Sequence, residues 1–129
     1  MSTEKVQKIL VVDDSKLIHK MYEVMLRPHA LIYALNGREG LDKLGQHPDI
    51  DLIILDINMP QINGLEFLGH AKSNPTFAKI PVIIVSTEGK DDDILRGLSA
   101  GAAAYIKKPF QREQILQVIE RMHSNRPAA

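Results

Sequence analysis

Hydrophobic residues in this chain form short runs that alternate with segments of helical periodicity. Runs of about strand length predict five β-strands, at 8–12, 30–35, 52–56, 81–85 and 102–106. Apolar residues spaced three or four apart predict a helix after each strand. These positions are Ile18, Met21, Val24 and Met25; Leu41 and Leu44; Leu65 and Leu68; Ile94, Leu95 and Leu98; and Ile115, Val118, Ile119 and Met122. Strict alternation of strands and helices predicts an α/β fold with a doubly wound parallel sheet.

The central run, 52–55, is uninterrupted aliphatic sequence that leads directly into Asp56. Such a run is typical of a strand that is buried on both faces, as in a parallel sheet covered by helices. In open α/β sheets, ligands bind at the carboxyl ends of the strands. Asp56 is therefore the first candidate functional residue, although an acid that ends a strand can also be a plain surface residue.

Other predicted strands also lead into polar residues, which are Asp13, Asp14, Ser86 and Lys108. Because parallel strands end at one edge of the sheet, these side chains and Asp56 are expected to lie close together. Three carboxylates repel one another, and Mg²⁺, which prefers oxygen ligands, would relieve that repulsion. A cation beside a lysine and a hydroxyl suits a phosphoryl group, and a carboxylate can itself accept one.

Length and composition indicate one domain over residues 1–129, with a core from about 7 to 123 and short frayed ends. The formal net charge is zero, so the chain has no general attraction for nucleic acid or an anionic membrane. It contains no cysteine, which suits a reducing compartment. Neither a signal peptide nor a membrane span is recognisable, and the predicted location is the cytoplasm.

Four stretches between residues 11 and 110 resemble the receiver domain of two-component response regulators: VVDDS, ILDINMPQINGLEFL, VIIVST and GAAAYIKKPF. The resemblance covers nearly the whole chain. It implies a flavodoxin-like sheet with strand order 2-1-3-4-5. It further implies that Asp56 accepts a phosphoryl group in a Mg²⁺-dependent reaction. Asp14 and Asp56 resemble carboxylate ligands of the metal, Asp13 a ligand through water, and Asn58 a ligand through its backbone carbonyl.

The resemblance also assigns roles to Ser86, Lys108 and Tyr105. Ser86 resembles the hydroxyl that moves onto the phosphoryl group, Lys108 its ammonium partner, and Tyr105 an aromatic that changes rotamer. The Lys108–Pro109 bond is cis in the family. Serine stands at 86 where threonine is more common, and Thr87 is bulkier than the residue usual beside it, which bears on access to the phosphoryl site.

As a function, the resemblance implies a single-domain regulator that is not an enzyme beyond its own phosphorylation and dephosphorylation. Its expected partners are a histidine kinase or phosphotransfer protein and a downstream target protein, the latter at the fourth helix, fifth strand and fifth helix. Direct binding of nucleic acid and membrane insertion are not expected. The alternative is a receiver fragment of a longer regulator with a DNA-binding or enzymatic output domain.

Other interpretations remain for several residues. Asp14 or Ser15 could cap the first helix, and Tyr105 could simply pack. The histidines show no ligand spacing and are interpreted as surface or structural residues. Aspartate-nucleophile phosphohydrolases need a second carboxylate two residues after the first, where this chain has Asn58, and an EF-hand is excluded by Pro60.

Overall fold

The structure, a computed structural model, describes residues 7–57, 64–87 and 91–125. Its strands are β1 (Lys8–Val12), β2 (Ala30–Ala34), β3 (Leu52–Asp56), β4 (Val82–Thr87) and β5 (Ala104–Lys108). Its helices are α1 (Lys16–Met25), α2 (Gly37–Gln46), α3 (Gly64–Ser73), α4 (Asp91–Ser99) and α5 (Arg112–Asn125). Strands and helices alternate throughout, as the hydrophobic pattern predicts.

The five strands form one parallel sheet in the order β2-β1-β3-β4-β5, which confirms the flavodoxin-like topology. From β1 the chain first adds β2 on one side, and it then adds β3, β4 and β5 in turn on the other side. The order of strands thus reverses between β1 and β3. Ligands of doubly wound sheets bind at such a switch point, outside the carboxyl ends of the strands. The topology therefore places the ends of β1 and β3, and with them Asp13, Asp14 and Asp56, at the expected binding edge.

The sheet separates two layers of hydrophobic core. One layer lies against α2 and α3 and contains Leu10, Val12, Leu44, Ile53, Leu55, Phe67, Leu68 and Ile84. The other lies under α1 and α5 and contains Ile9, Val11, Tyr22, Leu26, Ile54, Val85, Ile115 and Ile119. Every residue of β3 is buried, as expected for a strand covered on both sides.

Side-chain caps define where α1 and α2 begin. The hydroxyl of Ser15 accepts a hydrogen bond from the Ile18 amide at 3.3 Å, so Ser15 and not Asp14 caps α1. At α2, the Asn36 side chain accepts from the Glu39 amide, and the Glu39 carboxylate accepts from the Leu35 amide. This reciprocal pair is a variant of the capping box in which the Glu39 carboxylate binds the amide before the N-cap residue.

The buried face of α1 contains only part of the apolar set that predicts the helix. His19, Tyr22 and Leu26 are buried, whereas Met21 and Val24 are 48% and 62% exposed. With Leu17, which is 70% exposed, the latter two form an apolar stripe on the outside of the helix. Of the four apolar residues whose spacing predicts α1, Ile18 and Met25 thus pack against the core, whereas Met21 and Val24 face outward, because His19 and Tyr22 occupy part of the inner face.

The fifth strand begins two residues later than predicted. The amide of Ala102 donates to the Gly97 carbonyl at 3.0 Å and so completes the end of α4. Gly101 precedes it with a φ of +113°, a conformation that favours glycine. The Ala103 amide donates to the Val82 carbonyl, and the paired register with β4 begins at Ala104, opposite Ile83. No described helix has the length and hydrophobicity needed to cross a membrane.

Candidate functional site

Three carboxylates meet at the carboxyl edge of the sheet. Asp13 and Asp14 follow β1 directly, and Asp56 is the last residue of β3. One carboxylate oxygen from each of the three lies within 4.8 Å of the others. Asp13 and Asp56 are buried, at 3% and 6% exposure, while Asp14 is exposed. The prediction that these acids converge is confirmed, and one of the three is accessible to solvent.

Lys108 brings a positive charge to this acidic edge from the end of β5. Its Nζ atom lies 3.4 Å from Oδ2 of Asp13 and 3.7 Å from Oδ2 of Asp56. The side chain is 25% exposed, so its charge is partly shielded from water. The Lys108–Pro109 peptide bond is cis, as the resemblance implies. Three carboxylates and one ammonium leave the edge with a negative excess.

Asp13 is held by hydrogen bonds from several elements. Its amide donates to the Ala34 carbonyl of β2 at 3.0 Å, and its Oδ1 accepts from the Ser15 amide at 2.9 Å. Its backbone carbonyl accepts from Nε2 of His19 at 2.7 Å. The loop that carries both acids is therefore positioned before any ligand binds.

Ser86 and Tyr105 lie on adjacent strands at the far side of the site. Ser86 is fully buried and follows Val85, the register partner of Asp56. Tyr105 pairs in register with Ile84 and is 45% exposed on β5, an edge strand. Because side chains alternate along a strand, Ser86 and Tyr105 project toward the same face of the sheet. This common orientation is compatible with coupling between them, which stays a prediction.

Two predicted features lie outside the described part of the chain. Asn58, the expected backbone-carbonyl ligand of the metal, falls between the described segments 7–57 and 64–87. The side chain of Thr87 is likewise not described. Their roles remain predictions.

Tyr22 and His19 belong to the surroundings of the site, and the sequence prediction did not assign them to it. The Tyr22 hydroxyl is buried and has no hydrogen-bond partner among the residues that the structure describes. Burial raises the pKa of this hydroxyl well above its ordinary value, and the negative charges of Asp13 and Asp56 raise it further. Helical periodicity could have identified the buried face that contains both residues, but the aliphatic residues alongside gave a stronger signal.

The donor set at this edge fits a hard divalent cation. All three donors are carboxylate oxygens, and Mg²⁺ typically takes one or two carboxylates while retaining water or phosphate oxygens in its other positions. Asp14 is the exposed member of the three and is open to solvent. A cation would offset the negative excess that the single ammonium of Lys108 leaves.

The family model of the response regulator receiver domain matches residues 9–120, so the chain belongs to this family. Receiver domains of this family act in two-component signalling and generally bind Mg²⁺. They interact with histidine kinases or phosphotransfer proteins and with downstream targets.

Individual relatives include both short and longer proteins. The chemotaxis protein CheY1 of Helicobacter pylori is 34% identical over 116 residues, which cover 88% of this chain and 94% of that protein. The probable transcriptional regulator ycf29 of Pyropia yezoensis is 36% identical over 115 residues, which cover 88% of this chain and 51% of that protein. The crystal structure of the chemotaxis protein CheY4 of Vibrio cholerae has a TM-score of 0.84 at 31% identity, covering 92% of this chain and 99% of that one.

Proposed function

We propose that this chain is a stand-alone response regulator that receives a phosphoryl group on Asp56. The observation that carries the proposal is the position of Asp56 at the end of β3, within reach of Lys108 and two further carboxylates. The donor would be a phosphohistidine on a kinase or phosphotransfer protein. Its P–N bond would break as a P–O bond forms to the Asp56 carboxylate.

The neighbouring residues would divide the remaining work. Asp13, Asp14 and Asp56, together with the Asn58 carbonyl, would hold Mg²⁺, which when bound neutralises charge on the phosphoryl oxygens. Lys108 would contribute a second cation to the same group, and Ser86 a hydrogen-bond donor. The chain would catalyse only its own phosphorylation and dephosphorylation. We place it in the cytoplasm, as the absence of cysteine suggests.

Transfer from acetyl phosphate in the presence of Mg²⁺ tests this proposal. The wild type should gain the mass of one phosphoryl group, and Asp56→Asn should gain none. Asp14→Asn is the metal variant, and it should need a higher Mg²⁺ concentration for the same rate. Equal labelling of Asp56→Asn would overturn the assignment of the acceptor.

The output surface is proposed to be formed by α4, β5 and α5, and to bind a protein. Leu95 is 63% exposed, Leu98 is 36% exposed, and Tyr105 lies nearby on β5 with 45% exposure. Among the described side chains of α4, only Ile94 and Gly97 are buried, so little area attaches this helix. An element attached by few contacts can change position at low cost.

A different apolar surface is proposed for the phosphodonor. The stripe of Leu17, Met21 and Val24 on α1 adjoins a groove of about 310 Å³ that reaches Lys108. The groove is lined by Ile18, Met21, Tyr22, Met25, Lys108, Pro109 and Phe110. A donor must approach Asp56 and Lys108 closely, so apolar surface beside them is suited to contact it.

Two variants separate the proposed surfaces. Tyr105→Ala should weaken binding of the target to the phosphorylated protein and leave phosphorylation by a kinase unchanged. Val24→Ala should slow transfer from the kinase while leaving both target binding and labelling by acetyl phosphate unchanged. If Tyr105→Ala slowed transfer from the kinase and left target binding intact, the two assignments would be reversed.

A receiver within a longer regulator is the second candidate, and the match to half of the ycf29 protein is the observation that favours it. The nearly end-to-end match with CheY1 favours the stand-alone form. Immunodetection in extracts of the source cells distinguishes them, because the stand-alone protein should migrate at its sequence mass of 14.4 kDa.

A further inference from the structure

We infer that His19 is a positioning residue for Asp13 and Asp14, acting through the backbone carbonyl of Asp13. The inference rests on the proposed function, because it concerns how the proposed Mg²⁺ ligands are held. His19 is 7% exposed, and its Nε2 atom lies 2.7 Å from the Asp13 carbonyl oxygen, six residues earlier in the chain. It touches none of the carboxylate oxygens in the contacts described above.

The chemistry of this contact determines the tautomer. A carbonyl oxygen only accepts hydrogen bonds, so Nε2 of His19 must carry a proton for the contact to be favourable. The ring therefore donates toward the loop between β1 and α1. In metal sites, donors of this indirect kind orient the residues that bind the ion, and their loss typically weakens metal binding about 10- to 100-fold.

The imidazole is itself held in place by the neighbouring strand. It stacks on the Tyr33 ring of β2, with ring centroids 4.8 Å apart and planes inclined by 21°. The next residue of β2, Ala34, accepts the amide of Asp13. Two consecutive residues of one strand thus position both sides of Asp13, one directly and one through His19.

These contacts explain why a polar residue occupies the inner face of α1. The Asp13 carbonyl follows the end of β1, where the strand ladder no longer supplies a donor, and a buried carbonyl without one is costly. An aliphatic side chain at position 19 would fill the space but leave this oxygen unpaired. The peptide between Asp13 and Asp14 would then lose one of the hydrogen bonds that fix its orientation, and both carboxylates would be held less firmly.

The test compares two substitutions at His19 with one at a second histidine. His19→Gln retains an N–H donor at a similar distance from the backbone, whereas His19→Met retains volume and loses the donor. His29→Met is the matched control. The Nδ1 atom of His29 accepts a hydrogen bond from the Gln7 amide near the opposite edge of the sheet. The His29→Met variant therefore also loses a hydrogen bond between ring and backbone.

Mg²⁺ titration followed by backbone amide NMR is the first measurement. His19→Met should raise the Mg²⁺ dissociation constant about 10-fold, and His19→Gln should stay within about threefold of the wild type. His29→Met should bind Mg²⁺ as the wild type does, even if its thermal midpoint falls. Wild-type affinity in His19→Met, or equal impairment in His29→Met, would overturn the inference.

Two measurements on the metal-free protein make the result independent of the proposed function. Imidazole ¹H–¹⁵N spectra of the wild type should show the proton on Nε2 of His19, and a proton on Nδ1 alone would overturn the inference. Hydrogen exchange at the Asp14 and Ser15 amides should be faster in His19→Met than in His19→Gln. If the wild type bound no Mg²⁺, the proposed function would fail, and these two measurements would still decide the role of His19.

Discussion

The two faces of the sheet are packed by different means. Against α2 and α3 the core is almost entirely aliphatic, and glycines bring the helices close to their neighbours. A Cβ atom on Gly40 would lie 2.7 Å from the Phe67 ring, and one on Gly64 would collide with Ile57. Under α1, by contrast, His19 and two tyrosines place polar atoms among aliphatic residues. The Tyr22 and Tyr33 hydroxyls are buried and find no hydrogen-bond partner within the described segments.

The difference shows how one sheet combines a rigid support with an electrostatically active edge. The close contacts at these glycines leave no room for larger residues. The face against α2 and α3 should therefore resist substitution by steric exclusion. The face under α1 tolerates imperfect hydrogen bonding but carries the groups that surround the acidic edge. Substitutions that add atoms should therefore be harmful on the first face, and substitutions that remove hydroxyls should be tolerated on the second.

The largest effect is expected for Gly64→Ala at the start of α3. The added methyl group would contact the Ile57 backbone and lie 2.8 Å from the Asp56 carbonyl oxygen. Because neither backbone group can move without shifting Asp56, the variant should lose about 3 kcal/mol of unfolding free energy, measured by urea denaturation. It should also accept a phosphoryl group more slowly.

Gly69→Ala is the control on the same helix. Apart from the local helix backbone, no described atom lies within 4 Å of the position its methyl group would take. The variant should therefore gain up to about 1 kcal/mol of unfolding free energy from helix propensity. Similar stabilities for the two variants would contradict the steric account.

Gly40→Ala should have the next largest effect, a loss of about 2 kcal/mol of unfolding free energy in urea denaturation. Its methyl group would lie 2.7 Å from Cε1 of Phe67 and 3.1 Å from a methyl group of Val12, both fully buried. Gly45→Ala, also on α2, has open space around it and should be stabilising. A stabilised Gly40→Ala would show that Phe67 can move aside.

Tyr22→Phe should gain about 1 kcal/mol of unfolding free energy at neutral pH, because it removes a buried hydroxyl that has no partner among the described residues. The gain should increase in alkali. The folded-state pKa of Tyr22 is raised above its ordinary value of 10.0. The stabilisation that comes from keeping the phenol neutral is therefore fully present below pH 10. That contribution is lost as the pH rises further, and only the wild type should lose it. Parallel stability profiles of the two proteins above pH 10 would contradict this prediction.

Leu17→Gln should have the smallest effect, and its unfolding free energy should stay within about 0.5 kcal/mol of that of the wild type. Leu17 is 70% exposed on the outer stripe of α1, so the substitution removes little buried apolar area. Thermal unfolding provides the measurement. A loss of several degrees in the midpoint would indicate that the stripe is buried in solution, for example by a second copy of the chain.

Much of the fold and of the acidic edge could be predicted from the sequence, because both depend on local patterns. Aliphatic runs such as 52–55 are typical of strands covered on both sides, and strict alternation of strands and helices favours parallel connections. Parallel connections place all carboxyl ends at one edge. The meeting of Asp13, Asp14, Asp56 and Lys108 follows from that rule without knowledge of any distance.

Tertiary structure alone decided which face of α1 is buried and where β5 begins. Helix α1 offers two stripes, and the aliphatic one, with Met21 and Val24, predicts the core more strongly. The choice depends on what lies opposite: the Asp13 carbonyl needs a donor, and Tyr33 presents a ring on which His19 can stack. Likewise, Ala102 completes α4 instead of extending β5, because its amide reaches the Gly97 carbonyl. Periodicity identifies the residues able to be buried, but the partner groups that select among them are distant in the chain.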